Sequence, residues 1–131
     1  MATVLVVDDE PDIRDLLVKR LGQDGHLVLP ADGGAEALAL VESRGVPDAV
    51  VLDLDMPGMD GFELLERLRG RHPQLPVLIV SVLWADDVHE RVRHLSADFL
   101  AKPFTAAALT AGVRQLLGLP SRGDDAGVGR R

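Results

Sequence analysis

The sequence predicts an α/β fold in which a five-stranded parallel sheet carries helices on both faces. Three observations predict it. Short apolar runs alternate five times with segments whose apolar residues recur at helical spacing, which is the pattern of repeated βα units. The runs Val4-Leu5-Val6-Val7, Ala49-Val50-Val51-Leu52 and Val77-Leu78-Ile79-Val80 are continuous rather than alternating, as strands covered on both faces are. Four runs end in polar residues, at Asp8-Asp9-Glu10, Asp53, Ser81 and Lys102, and the carboxyl ends of strands are where open α/β sheets place ligand sites.

The elements follow in order. After the first strand, Val4–Val7, Glu10-Pro11 opens a helix, because a proline in the first turn lacks only an N–H that has no helical partner there. Ile13, Leu16, Leu17 and Leu21 form the packing stripe of that helix. Gly25 and Gly33-Gly34 bracket the second strand. The third strand runs from Asp48 to Asp53, Pro57 and Gly58 force a turn, and the third helix spans Asp60 to Arg71. His72-Pro73 and Pro76 mark the loop before the fourth strand. Val88, Val92 and Leu95 give the fourth helix its stripe, Ala97–Ala101 is the fifth strand, and Leu109, Val113, Leu116 and Leu117 line the last helix. Beyond Leu119-Pro120 the chain turns to Ser, Gly, Asp and Arg with little to bury. Residues 1–118 are therefore read as one domain and 119–131 as a flexible tail or the start of a linker.

Composition narrows the function. A chain of 131 residues with 47% hydrophobic content is enough for one core, and 3% aromatics make that core aliphatic. The absence of cysteine excludes disulfides and thiolate metal sites and fits a reducing compartment. A net charge of −7 without a basic run argues against nucleic-acid binding, which draws most of its affinity from phosphate contacts. No apolar stretch approaches the ~20 residues that cross a bilayer, and the amino terminus enters a strand without a basic leader, so no membrane association and a cytoplasmic location are expected. His89 and His94, five apart, do not share a helical face; His26, His72, His89 and His94 are read as surface or loop residues.

An acidic pair, a lone aspartate, a hydroxyl and an ammonium at neighbouring strand ends are the inventory for holding a hard divalent cation and a phosphoryl group together. Taken singly, each has a plainer role. Asp8-Asp9 suit a helix N-terminus, Asp53 can begin a turn, Ser81 can satisfy a loop, Lys102 can be a solvated surface lysine, and Phe99 can be core. The convergence of Asp8, Asp9 and Asp53 is harder to explain that way. At an effective dielectric of about 20, two full charges about 5 Å apart repel by about 3 kcal/mol, a cost that a cation relieves.

The ordered set comprises Asp8-Asp9, then Asp53 followed by Met56-Pro57-Gly58-Met59-Asp60-Gly61, then Ser81, then Lys102-Pro103. It resembles the receiver domain of two-component response regulators, of the single-domain chemotaxis or sporulation-phosphorelay type, over roughly Ala2 to Gly118. The resemblance implies a flavodoxin-like doubly wound (βα)5 sheet of order 2-1-3-4-5. It implies that Asp53 accepts a phosphoryl group from a histidine kinase or histidine phosphotransfer protein. It also implies Mg2+ held directly by Asp9 and Asp53, through water by Asp8, and by the backbone carbonyl of Asp55. Ser81 and Lys102 would bind the phosphoryl oxygens, and Lys102-Pro103 would be cis. Such a protein catalyses its own magnesium-dependent phosphorylation and dephosphorylation but is primarily a switch. Its output face, formed by the last two helices and the fifth strand, would engage a downstream protein or an output domain.

Three positions depart from the family pattern. Phe99 stands where tyrosine is common, and Ser96-Ala97-Asp98-Phe99 is one residue shorter than the usual segment. Val82 replaces a small residue and is expected to crowd the approach to Asp53. Two alternatives compete: a haloacid-dehalogenase-type phosphatase or phosphotransferase, suggested by Asp53-x-Asp55 with a later serine and lysine, and a protein-binding module that no longer signals. The first places its Asp-x-Asp on the first strand, whereas here an acidic pair precedes it.

Overall fold

The computed structural model describes residues 2–55, 61–82 and 86–119. Strands and helices alternate as β1 Thr3–Val7, α1 Pro11–Gln23, β2 Leu27–Ala31, α2 Gly34–Arg44, β3 Ala49–Asp53, α3 Gly61–Arg71, β4 Val77–Ser81, α4 Asp86–His94, β5 Asp98–Ala101 and α5 Ala106–Leu116. All neighbouring strands pair in parallel, in the order β2-β1-β3-β4-β5. The expected class and strand order are both observed. The third strand starts one residue later than Asp48. The Pro57-Gly58 turn, Asp60 as the start of the third helix, and all but Leu119 of the expected tail lie outside the described residues.

Side chains alternate across the sheet and sort into two aliphatic layers. Leu5, Val7, Val50, Leu52 and Ile79 pack with Ala37 of α2, Leu64, Leu65 and Leu68 of α3, and Val92 of α4. Val4, Val6, Val51, Leu78 and Val80 pack with Leu17 and Leu21 of α1 and with Leu109 and Val113 of α5. Every residue of β3 and β4 is buried, which explains their unbroken apolar runs: neither face of these inner strands meets water.

Two readings need correction. Leu16, placed in the packing stripe of α1, is 50% exposed, whereas Leu17 and Leu21 are buried. Neighbouring positions on a helix are about 100° apart, so a stripe that buries Leu17 and Leu21 turns Leu16 outward. His26, read as a surface or loop residue, is buried. Gly25 at φ +93 turns the chain from α1 under the sheet, and the imidazole lies 3.6 Å from the carboxylate of Asp24, which Arg114 of α5 also approaches at 3.3 Å.

The shortened segment before β5 carries local strain. Ser96 adopts φ +56, a left-handed conformation unfavourable to residues with a Cβ. Hydrogen bonding holds it there. Its N–H donates to the carbonyl of Arg93, and Arg69 of α3 donates to the carbonyls of Leu95, His72, Pro73 and Leu75. One guanidinium thus ties together the loops that lead into β4 and β5.

Gly61 sets how closely α3 approaches the end of β3. A Cβ at this position would lie 2.7 Å from Leu54 Cα and 3.0 Å from the carbonyl oxygen of Asp53, and backbone atoms cannot give way as a flexible side chain can. Gly61→Ala should therefore destabilise the protein by about 1–3 kcal/mol, the usual range for overpacking, measured as a lower urea midpoint.

Candidate functional site

The sheet register brings four strand ends level. Val7 pairs with Leu52, Asp53 with Val80, and Ser81 with Ala101, so Asp8, Asp53, Ser81 and Lys102 all emerge at the same edge. Among the described residues, the buried polar or charged side chains are Asp8, His26, Asp53 and Ser81. Three of these four belong to this edge, so polar burial is concentrated where the fold has least apolar reason for it.

Asp53 is fixed through one oxygen and left without a hydrogen-bond partner at the other. Its Oδ1 accepts hydrogen bonds from Lys102 Nζ at 3.1 Å and from the Asp55 N–H at 2.8 Å. Its buried Oδ2 has no hydrogen-bond partner. Asp8 repeats the arrangement: Oδ1 accepts from the Glu10 N–H at 2.9 Å, and the buried Oδ2 has no hydrogen-bond partner. One ligand oxygen each from Asp8, Glu10 and Asp53 lies within 4.8 Å of the others. Unsatisfied buried carboxylate oxygens are costly, and their proximity here is what a hard cation would relieve.

The electrostatics carry the same strain. Burial, and then the nearby Asp53 charge, push the Asp8 carboxyl up to about 6 despite the hydrogen bond from Glu10. Burial pulls the Lys102 ammonium down, but the combined attraction of Asp53, Asp8 and Asp55 outweighs it and holds the ammonium above its ordinary value. Lys102 is thus cationic and bound to the aspartate beside it, not a solvated surface lysine.

The Asp55 carboxylate occupies the space between strands. Its Oδ1 accepts from Ser81 Oγ at 2.8 Å, and its Oδ2 accepts from the Val82 N–H at 3.1 Å and lies 3.5 Å from Lys102 Nζ. The receiver resemblance gave this residue only a backbone role and missed its side-chain contacts with Ser81, Val82 and Lys102. Glu10 was missed too, having been read as the residue that opens α1. The chain bends at Asp9, and the hydrogen bond from the Glu10 N–H to Asp8 Oδ1 closes a local turn that brings Glu10 back to Asp8. Asp9, the intervening residue, is half-buried and lies outside that cluster. The signal available was the full run of three acids, not the pair.

The remaining expectations fall around this edge. Lys102-Pro103 is cis. Val82 is 53% exposed and lines a cleft of about 340 Å³ with Ile13, Leu16, Lys102 and Phe104. Phe99 packs partly against the core and lies against His89 of α4, with ring centroids 4.3 Å apart. It is therefore both a core contact and a link between β5 and α4.

Residues 4–114 match the response regulator receiver domain family. The chain belongs to it. Response regulator MprA of Mycolicibacterium vanbaalenii is 42% identical over 127 residues, which cover 95% of this chain and 54% of that protein. The MprA of Mycobacterium tuberculosis strain H37Rv is 43% identical over 117 residues, 87% of this chain and 50% of the relative. This chain thus spans about half the length of these curated relatives. Among solved structures, the receiver domain of NtrX from Brucella abortus superposes with a TM-score of 0.82 at 36% identity, covering 89% of this chain and 99% of that one. The Vibrio cholerae chemotaxis protein CheY4 gives 0.84 at 30% identity, with 89% and 99% covered. A receiver is therefore favoured over both the haloacid-dehalogenase-type enzyme and the non-signalling module. Among the described residues, no helix is long and apolar enough to cross a membrane.

The raised Asp8 carboxyl fixes a pH dependence. An acid whose folded value lies near 6, above its ordinary 3.8, stabilises the fold below about 4 and loses that contribution as pH rises through 6. Asp8→Asn mimics the protonated form. In metal-free buffer, urea unfolding should therefore show the variant gaining stability over wild type between pH 4 and 6 and keeping the advantage at neutral pH, while the two agree below pH 4.

Proposed function

We propose that Asp53 accepts a phosphoryl group from a phosphohistidine of a histidine kinase or histidine phosphotransfer protein, and that the modified receiver shifts between two conformations. The observation carrying this reading is the unpartnered, buried Oδ2 of Asp53, held beside a lysine and an acidic cluster by hydrogen bonds to Oδ1 alone. The nucleophile is aligned without being capped. Oδ2 would form the new P–O bond as the donor's P–N bond breaks and its electron pair returns to the imidazole. Lys102 would move from charge-balancing the carboxylate to binding a phosphoryl oxygen, and Ser81 would donate its hydroxyl to another.

Asp8, Glu10 and Asp53 bring together carboxylates that would hold Mg2+, and the unsatisfied Oδ2 of Asp8 supports the fit; by the family resemblance, Asp9 and the Asp55 carbonyl would complete the ligand set. When bound, magnesium would supply the positive charge that offsets these carboxylates and the incoming phosphoryl group. The switch would be read at the face of α4, β5 and α5, where Phe99 and His89 touch, by a downstream protein or an output domain. The proposed setting is the cytoplasm, without membrane or nucleic-acid contact by this domain.

Incubation with acetyl phosphate and magnesium should add one phosphoryl group to the wild type and none to Asp53→Asn, read by intact mass. Equal labelling of the variant would remove Asp53 from the role. Millimolar magnesium alone should raise the wild-type melting temperature by mass action, and Asp8→Asn or Asp9→Asn should reduce the rise.

A further inference from the structure

We propose that the Asp55 side chain is an internal occupant of the phosphoryl-oxygen site, so that phosphorylation of this receiver proceeds by displacing a carboxylate already seated there. The inference rests on the reading of Asp53 as acceptor and concerns what that acceptor's neighbours bind beforehand. Three donors surround the space beside Asp53: the Ser81 hydroxyl, the Val82 N–H and the Lys102 ammonium. Asp55 meets all three, at 2.8, 3.1 and 3.5 Å. Its two oxygens divide them as two oxygens of a phosphoryl group would, with Oδ1 on the hydroxyl and Oδ2 on the amide and the ammonium.

The charge and position of Asp55 make this more than a convenient hydrogen bond. Ser81 is buried, while the Asp55 side chain is 23% exposed, so the carboxylate can withdraw into solvent and leave the donors in place. Asp55 is also tethered close to its target, because its own N–H donates to Asp53 Oδ1. A tethered anion competes at high effective concentration. It preassembles the donors but must give them up, since two anions cannot share one set of hydrogen-bond donors without severe repulsion. Asp55 is thus a positioning residue acting through Ser81, Val82 and Lys102, in addition to any part its carbonyl has in holding metal.

The two roles predict opposite signs. If the carboxylate only helped to hold magnesium, removing it would weaken binding of a phosphoryl analogue that needs the metal. If it occupies the phosphoryl site, removing it strengthens that binding.

The test is the dissociation constant of beryllofluoride, measured by calorimetry at saturating magnesium on the wild type, Asp55→Ala and Asp55→Asn. Asp55→Ala should bind about tenfold or more tightly than wild type, the scale set by charge-assisted hydrogen bonds no longer contested. Asp55→Asn should fall between, because its amide oxygen can still accept from Ser81. Ser81→Ala should weaken analogue binding more in the Asp55→Ala background than in the wild type, where the hydroxyl is already engaged; this coupling separates competition from a merely structural effect. Should Asp55→Ala fail to fold by circular dichroism, Asp55→Asn and its Ser81→Ala pair decide the matter. Unchanged or weaker binding in the folded variants overturns the inference, even if the wild type is labelled at Asp53. A wild type that is neither labelled at Asp53 nor able to bind the analogue overturns the reading beneath it, and the inference falls with it.

Discussion

Much of this molecule depends on crowding negative charge at the end of a sheet that excludes water. Asp8 and Asp53 are almost wholly buried, Asp55 stands between them and β4, and among the described residues at this edge Lys102 is the cation that contacts Asp53 and Asp55. One ammonium does not balance three carboxylates. Burial first, and then the nearby Asp53 charge, raise the Asp8 carboxyl, and two carboxylate oxygens have no hydrogen-bond partner. Stability is given up at this edge, as is expected where geometry is kept for chemistry rather than for packing.

The rest of the fold tolerates this because it is insensitive to it. The two aliphatic layers fix the register of β1, β3 and β4 through side chains that never meet solvent, and a slip of one residue would exchange the faces of every strand. Register then determines where each polar group emerges. Gly61 completes the arrangement by letting α3 close on Leu54 and the Asp53 carbonyl, so the strand end bearing Asp53 is held by the helix while its buried Oδ2 is left without a hydrogen-bond partner.

The fold was legible in the sequence because doubly covered strands write themselves as continuous Val, Leu and Ile, a signal set by composition alone. The strand ends were legible for the same reason: where the apolar run stops, the site begins. What was not legible was orientation. Asp9 and Glu10 differ by one position, and only the bend at Asp9 with the hydrogen bond from the Glu10 N–H to Asp8 Oδ1 brings Glu10 rather than Asp9 into the cluster with Asp8. The Asp55 side chain gave no signal because its partners, Ser81 and the Val82 N–H, lie 26 and 27 residues away. Leu16 and His26 were misplaced for a related reason: hydrophobicity reports a tendency to be buried, whereas rotation about the helix and the turn at Gly25 decide whether it is.

The same geometry suggests how chemistry at Asp53 would reach a distant surface. Ser81 ends β4 and Lys102 follows β5, and the two are joined through the backbone, since the Lys102 N–H donates to the Ser81 carbonyl at 2.9 Å. Under the proposed reaction, both side chains exchange the Asp55 carboxylate for phosphoryl oxygens at once, so a shift of either is felt by the other. β5 carries that shift three residues back from Lys102 to Phe99, whose ring rests on His89 of α4. β5 is also the edge strand, with β4 its sole strand neighbour, and its residues are only partly buried. It is therefore less constrained than β3 or β4. A displacement begun among buried, rigid strands would be expressed at the one strand on this side of the sheet that has room to move, and on the proposed reading it would be read at α4 and β5 rather than at α1 or α2.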